Sequence, residues 1–291
     1  MSRFYKLSGS GNDFLALAEP SQIPDLETIR AWCRRGVSLG ADGLFILRRD
    51  GGGGEVVMDY FNADGFPADL CLNGTRCAAQ LAFHLGWFAG IVTVRTPAGA
   101  FAVRRLDASR VAVELAVPAD EPRELTIELG GASCSTGYRL LVGVPHFVLL
   151  WPAGLEEAPV RELGRALRYH PAFAPAGTNV NFVRFPAPDR MEIRTYERGV
   201  EDETLSCGTG VLASAAVGLA KAGVTLPLQV MTQGGFELEV GALPGGRWSL
   251  AGDARVVAEG EILAGAAASP SPPSWATGGH VLASSPIERE T

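Results

Sequence analysis

Two cysteines sit in matching surroundings. Cys71-Leu72-Asn73-Gly74-Thr75 opens an alanine-rich apolar run from Asn73 to Leu85, and Cys207-Gly208-Thr209-Gly210 opens a second from Gly210 to Ala222. Both read Cys-x-x-Gly, and the two cysteines lie 136 residues apart. Each follows a strand-like run that ends on an aromatic, polar residues and a glycine: Tyr60-Phe61-Asn62-Ala63-Asp64-Gly65 in the first copy, Tyr196-Glu197-Arg198-Gly199 in the second. A helix that is apolar nearly all round is a buried one. A cysteine at its N-terminus lies at the positive end of the aligned backbone dipoles, with free N–H groups directed at its sulfur. Its pKa is therefore expected to fall from about 8.5 toward 3.5–7.5. The same N–H groups can hold a carboxylate, and the glycines let backbone approach closely. Two such sulfurs, one thiolate and one thiol, would remove a proton from one face of a carbon and deliver another to the opposite face. The centre is inverted. An amino-acid α-carbon is a weak acid, so a water-excluding cleft with aligned donors has to stabilise the developing charge.

Other chemistries fit less well. A metal site needs ligands clustered at short spacings; Cys71 and Cys77 are separated by five residues and no His pair follows. Cys33, Cys77 and Cys134 read as small buried hydrophobes. A redox sensor could use Cys71 and Cys207 as a disulfide-forming pair, and a non-catalytic amino-acid binder would need neither sulfur. Only Lys6 and Lys221 among the 25 basic residues are lysines, which weakens any Schiff-base mechanism, pyridoxal phosphate included.

The elements that must position the cysteines are short. Strand-like runs cover Val56 to Phe61, Ile91 to Arg95, Phe101 to Arg104, Val111 to Leu115, Leu125 to Leu129 and Val180 to Arg184, with glycine, 36 residues of 291, as punctuation. Asp25 to Arg35 reads as an amphipathic helix with Leu26, Ile29 and Trp32 on one face. Two buried helices among many strands imply an α+β fold of two pseudo-symmetric domains. Each is a mostly antiparallel curved sheet wrapped around a central buried helix, with the active site in the cleft between them. Residues 1–118 and 119–265 are the expected domains, the last strand being free to return to the first. Residues 266–291, rich in Ala, Ser, Pro and Gly, read as a disordered tail. With 47% hydrophobic and 20% charged residues the chain is globular, and at a net charge of −7 without a basic run it is not expected to bind nucleic acid. Its opening residues lack the apolar core of a secretory leader. Leu140 to Trp151, the most apolar stretch, is too short to cross a bilayer. An odd number of cysteines, five, in a chain of this length reads as cytoplasmic thiols.

At these residues the chain resembles the diaminopimelate epimerase family, in the superfamily of cofactor-independent amino-acid racemases and epimerases. The ordered motifs are Gly9-Ser10-Gly11-Asn12-Asp13-Phe14, Gly40-Ala41-Asp42-Gly43-Leu44, Phe61 to Gly65, Cys71 to Cys77, Pro145-His146, Gly177-Thr178-Asn179-Val180 and Tyr196 to Gly210. The resemblance implies interconversion of LL- and meso-2,6-diaminopimelate on the route to lysine and peptidoglycan, with no cofactor and no metal. Cys71 and Cys207 would be the acid/base pair, with Glu197 and His146 beside the reacting centre, able to accept a proton from Cys71 or to orient it. The reacting carboxylate would lie on the N–H groups of Asn73, Gly74, Gly208 and Thr209. The distal amino-acid end would take Arg198, a planar fork for a carboxylate, with Asn12, Asn62, Asn179 and Glu197. Asp13, Asp42 and Asp64, in glycine-rich turns, read as structural. The implied partner is the small amino-acid substrate, with neither nucleic acid nor membrane; a homodimer is compatible. Three departures stand out. Leu72 replaces a usual glycine, Val144 replaces an asparagine before Pro145-His146, and the Val200 to Thr204 loop is one residue longer than in some members. They leave open a related two-cysteine racemase acting on another amino acid.

Overall fold

The computed structural model describes residues 2–51, 53–130 and 133–267. Most of the segment read as a tail, 268–291, lies outside the described residues; Ala264–Ala267 form a 3-10 turn tied down by Ser38 Oγ, which donates to the Ala266 carbonyl at 2.6 Å. Four α-helices are present among the described residues: α1 (Leu26–Cys33), α2 (Leu72–His84), α3 (Val160–Arg168) and α4 (Gly208–Lys221). The strands form one hydrogen-bonded network in which four pairings are parallel and the others antiparallel.

The order of elements is duplicated. In the first half the hairpin Ser2–Gly9/Asn12–Ala18 leads through α1 to Gly43–Arg49, which pairs parallel to Asn12–Ala18. Strand Glu55–Asn62, a two-residue strand and α2 follow, and then Ile91–Thr96, parallel to Glu55–Asn62, with two antiparallel strands behind it. The second half repeats this. The hairpin Ser133–Val142/Val144–Leu150 leads through α3 to Asn179–Ala187, parallel to Val144–Leu150. Arg190–Glu197, a three-residue strand, α4 and the parallel strand Leu228–Thr232 come next. Helix α3 is thus the repeat mate of α1, and it is the helix that apolar periodicity did not reveal. Its buried surface is small (Val160, Gly164 and Leu167), and a Cβ on Gly164 would sit 2.5 Å from Tyr196 Cβ.

Each half wraps its sheet on one buried helix. Leu72 to Phe83 of α2 are all buried, beneath Phe45, Val56, Met58, Val94 and Val113. The core around α4 is built from Val183, Ile193, Val211, Val217, Leu228 and Leu250. The halves are stitched together by main-chain bonds: Arg247–Asp253 pairs with Arg110–Ala116, and Arg255–Ile262 pairs with Ser2–Gly9. Of the cysteines read as small hydrophobes, Cys33 and Cys77 are buried; Cys134 is exposed on the strand Ser133–Val142, in register with Glu128. Strand alternation turns it away from the core, which corrects the sequence reading.

Leu72, the departure at the start of α2, turns into the second half of the molecule. It is 4% exposed, packs within the second half's core, and its Cβ would lie 3.1 Å from a Cβ built on Gly208. One side chain from the first half fills the space that a glycine leaves in the second. Leu72→Ala is expected to destabilise the protein by about 2–4 kcal/mol in urea unfolding; a loss under about 1 kcal/mol would show that this contact does not hold the halves together.

Candidate active site

Cys71 and Cys207 are the N-cap residues of α2 and α4, with extended backbones at φ −137° and −125°. Gly74 N donates to Cys71 Sγ at 3.4 Å, and Cys207 Sγ lies 3.5 Å from Thr209 Oγ1. First-turn N–H groups have no intrahelical acceptor. That of Gly74 serves the Cys71 sulfur, while the Cys207 side chain caps none of the first-turn N–H groups of its helix. The two loops touch: Asn73 Nδ2 reaches the carbonyl of Ser206, the residue before Cys207, at 3.5 Å, and Leu72 abuts Gly208. The repeat seen in the sequence therefore brings two helix starts with cysteine N-cap residues against each other, with Gly74, Gly208 and Thr209 in the first turns.

Burial overturns the expected direction of the thiol pKa values. Loss of solvation pushes Cys71 up to about 11, against the Gly74 hydrogen bond, which favours the thiolate. Cys207 goes higher still, through burial and the facing Glu197 carboxylate. A helix N-terminus contributes a fraction of a charge; desolvation of a sunken thiolate outweighs it.

Glu197 ends the strand Arg190–Glu197. It accepts a hydrogen bond from Thr204 Oγ1 at 2.8 Å and faces the Cys207 thiol as a further donor. Burial raises its pKa. It faces both sulfurs; the sequence reading had it beside the reacting centre, able to accept a proton from Cys71. His146, fully buried on Val144–Leu150, bonds neither sulfur among the described residues. Its Nδ1 meets Asn181 Nδ2 at 3.1 Å, while Asn181 Oδ1 accepts from Thr195 Oγ1 at 3.0 Å, so the imidazole proton falls on Nε2. Asn181 was missed in the sequence; its signal was its place two residues after Asn179 on a strand whose other residues, Arg184 aside, are apolar. A Cβ on Gly210 would overlap Asn181 Oδ1, which ties His146 to the first turn of α4.

The asparagines divide. Asn12 and Asn73 are bound to each other, Asn73 Nδ2 donating to Asn12 Oδ1 at 2.6 Å, while Asn12 Nδ2 donates to Asp42 Oδ2 at 3.0 Å. Asp42 and Asp13 are braced by Arg35 and Lys6. Asn179 accepts from Arg198 N at 2.7 Å, and the exposed Asn62 has no side-chain bond among the described residues. The Arg198 guanidinium reaches only the Ala176 carbonyl, at 3.4 Å, and pairs with no carboxylate among the described residues. Val144 opens its strand at the repeat position of Asn12 and offers no polar atom.

Burial, reinforced by Arg198, depresses His146 to about 3, so it is neutral in the folded protein at pH 7. The unfolded chain takes up that proton near pH 6.5 and the folded protein does not, so stability falls as pH drops below 6.5. From pH 6.5 to 5 the protein is expected to lose about 2 kcal/mol more than a His146→Gln variant; equal losses in chemical unfolding would refute the depressed pKa.

A family model described as diaminopimelate epimerase matches residues 4–118 and 138–245. A diaminopimelate epimerase of Aquifex aeolicus is 36% identical over 250 residues, 81% of this chain and 88% of that protein. One of Gemmatimonas aurantiaca is 35% identical over 278 residues, covering 89% and 98%. Among solved structures, a probable proline racemase of Agrobacterium radiobacter superposes with a TM-score of 0.68 at 14% identity, covering 92% of this chain and 96% of that one. A phenazine biosynthesis protein of the PhzF family from Enterococcus faecalis gives 0.67 at 16%, covering 90% and 100%. Those two likenesses establish the fold, an α+β architecture. The family model and the relatives go further: this chain belongs to the diaminopimelate epimerase family.

Proposed function

We propose that the protein is a cofactor-independent isomerase that interconverts LL- and meso-2,6-diaminopimelate by two-base proton transfer at one α-carbon, in the lysine and peptidoglycan route of the cytoplasm. The observation that carries this reading is the pair of cysteine N-caps on abutting helix starts. One sulfur, as thiolate, removes the α-proton; the other, as thiol, protonates the opposite face. Because burial keeps both thiols neutral, one must first lose its proton to a nearby base. Glu197, itself made more basic by burial, is the carboxylate that faces both sulfurs and can take that proton. The reacting carboxylate lies on first-turn N–H groups of the two helices, where it also balances two positive helix ends. His146, neutral and held by Asn181, shapes that end of the site without carrying charge. At the distal end the free fork of Arg198 takes the second carboxylate, with Asn62 and Asn179 beside it. Val144 favours one alternative, a two-cysteine racemase for a different amino acid, because it removes a polar group from the cleft's rim.

The test is incubation of the purified protein with LL-diaminopimelate in deuterated water. The expected result is meso product carrying deuterium at one α-carbon. Absence of both would sink the reading, and α-deuteration of a one-ended amino acid instead would favour the alternative. Cys71→Ala and Cys207→Ala are each expected to lower the inversion rate by more than about 10³-fold, and a mutant that still inverts would remove its sulfur from the mechanism. Arg198→Lys is expected to raise KM about 10- to 100-fold with a smaller change in kcat, because an ammonium cannot replace a bidentate fork. An unchanged KM would place the distal carboxylate elsewhere.

A further inference from the structure

One buried charge has no part in the mechanism above. Arg76 lies on α2, five residues after Cys71, and is 0% exposed. Helical side chains lean toward the N-terminus, and the guanidinium runs back to the start of the helix. Its Nη2 donates to Asn73 Oδ1 at 2.7 Å and to Ser10 Oγ at 2.9 Å. Its Nε and Nη1 are buried without an acceptor, and no carboxylate bonds it among the described residues. The nearest candidate, Asp253, is engaged by Arg255 at 2.8 Å and by Ser10 N at 3.3 Å. A buried charge without a counter-ion costs several kcal/mol. The fold does not require it, because the repeat mate of Arg76 in α4 is Leu212, an ordinary core residue at 3% exposure.

We propose that Arg76 is a positioning residue that makes the two sulfurs unequal: its buried guanidinium fixes the Asn73 amide and sets a permanent positive charge behind Cys71, where the Cys207 half has leucine. Through Asn73 the same group orders the contact to Asn12 and to the Ser206 carbonyl, so it also holds the Cys71 loop against the Cys207 loop. The titratable and charged groups that face Cys71 are Glu197 from Arg190–Glu197, Tyr60 from Glu55–Asn62, Cys207 at α4, and Arg76 and Cys77 on its own helix. Arg76 is the cation among them and favours the Cys71 thiolate; Glu197 opposes the thiolate at both sulfurs, and the Cys207 half has Leu212 where the Cys71 half has Arg76. The result is a polarised pair, with the Cys71 side prepared to hold negative charge and the Cys207 side prepared to keep its proton.

The catalytic consequence rests on the epimerase reading; the thiol chemistry does not. The experiment therefore reads both. The pH midpoint of iodoacetamide alkylation is measured for Cys71 in a Cys207→Ala background and for Cys207 in a Cys71→Ala background, each with Arg76, Arg76→Met and Arg76→Lys. Turnover of LL-diaminopimelate is measured in the parent background. Arg76→Met is expected to raise the Cys71 midpoint by about one unit and leave the Cys207 midpoint in place. It should lower kcat at least about tenfold, with KM within about twofold. Arg76→Lys keeps the charge and is expected to hold the Cys71 midpoint within about 0.3 unit while losing part of kcat, because the lysine Nζ ends one bond short of the Nη2 that bonds both Ser10 and Asn73. An unmoved Cys71 midpoint in Arg76→Met, or equal movement of both midpoints, overturns the proposal. If Arg76→Met does not fold, Arg76→Lys decides: a midpoint held near the parent value supports the charge, and a rise of a unit overturns it. A parent protein inactive on diaminopimelate, with a Cys71-specific shift intact, would sink the substrate reading alone.

Discussion

Two helix starts are held against each other, and this contact organises the molecule. Each carries unpaired N–H groups and about half a positive charge, so their approach is unfavourable until an anion lies on them. The fold supplies the restraint in two forms. Main-chain ladders cross between the halves at Arg110–Ala116 with Arg247–Asp253, and at Ser2–Gly9 with Arg255–Ile262. At the point of contact Leu72 occupies the room left by Gly208. The restraint keeps a positive gap of the kind that an anion such as a carboxylate would satisfy.

Burial then decides the acid–base behaviour. It pushes both thiols up, raises Glu197 and drives His146 down. Every one of those groups moves toward its neutral form, as a low-dielectric site demands. Charge that must persist in such a place has to come from a group that does not give up its proton. Arginine is that group, and the two guanidinia at the site, Arg76 and Arg198, lack carboxylate partners among the described residues. One stands behind the reacting end and the other is free at the rim. The composition agrees with this, since all but two of the 25 basic residues are arginines.

Much of the frame was legible in the residues. The duplicated Cys-x-x-Gly placed both N-caps, and alternation located the strands Glu55–Asn62, Ile91–Thr96 and Asn179–Ala187 within a residue or two at most ends. Helix α3 was hidden because three buried positions give too weak a period. Carrying the repeat through would have exposed it, since α1 occupies the same slot. Asp13 and Asp42 were read as structural residues of glycine-rich turns, and with Arg35 they brace the Asn12 amide; which partners they take was not legible, since hydrogen-bond chains between distant loops leave no local pattern. The direction of the thiol pKa was misjudged for a similar reason. A helix N-terminus is written in a few consecutive residues, whereas burial is the sum of contacts from both halves.

The duplicated frame has diverged along a line that the chemistry explains. Reversible inversion at a tetrahedral carbon requires that either sulfur be able to act as acid or base, and the N-caps remain alike: the same residue, the same extended backbone, a glycine three positions on. A substrate with a distal arm is not symmetric about that carbon. The positions around the sulfurs have accordingly parted: Asn12 against Val144, Asn62 against Glu197, Leu72 against Gly208, Arg76 against Leu212. A strictly symmetric pair of halves would give two thiols of equal proton affinity, with no preferred resting state and no means of telling one end of the ligand from the other. A cation behind one sulfur, with a leucine in its place behind the other, would separate their affinities.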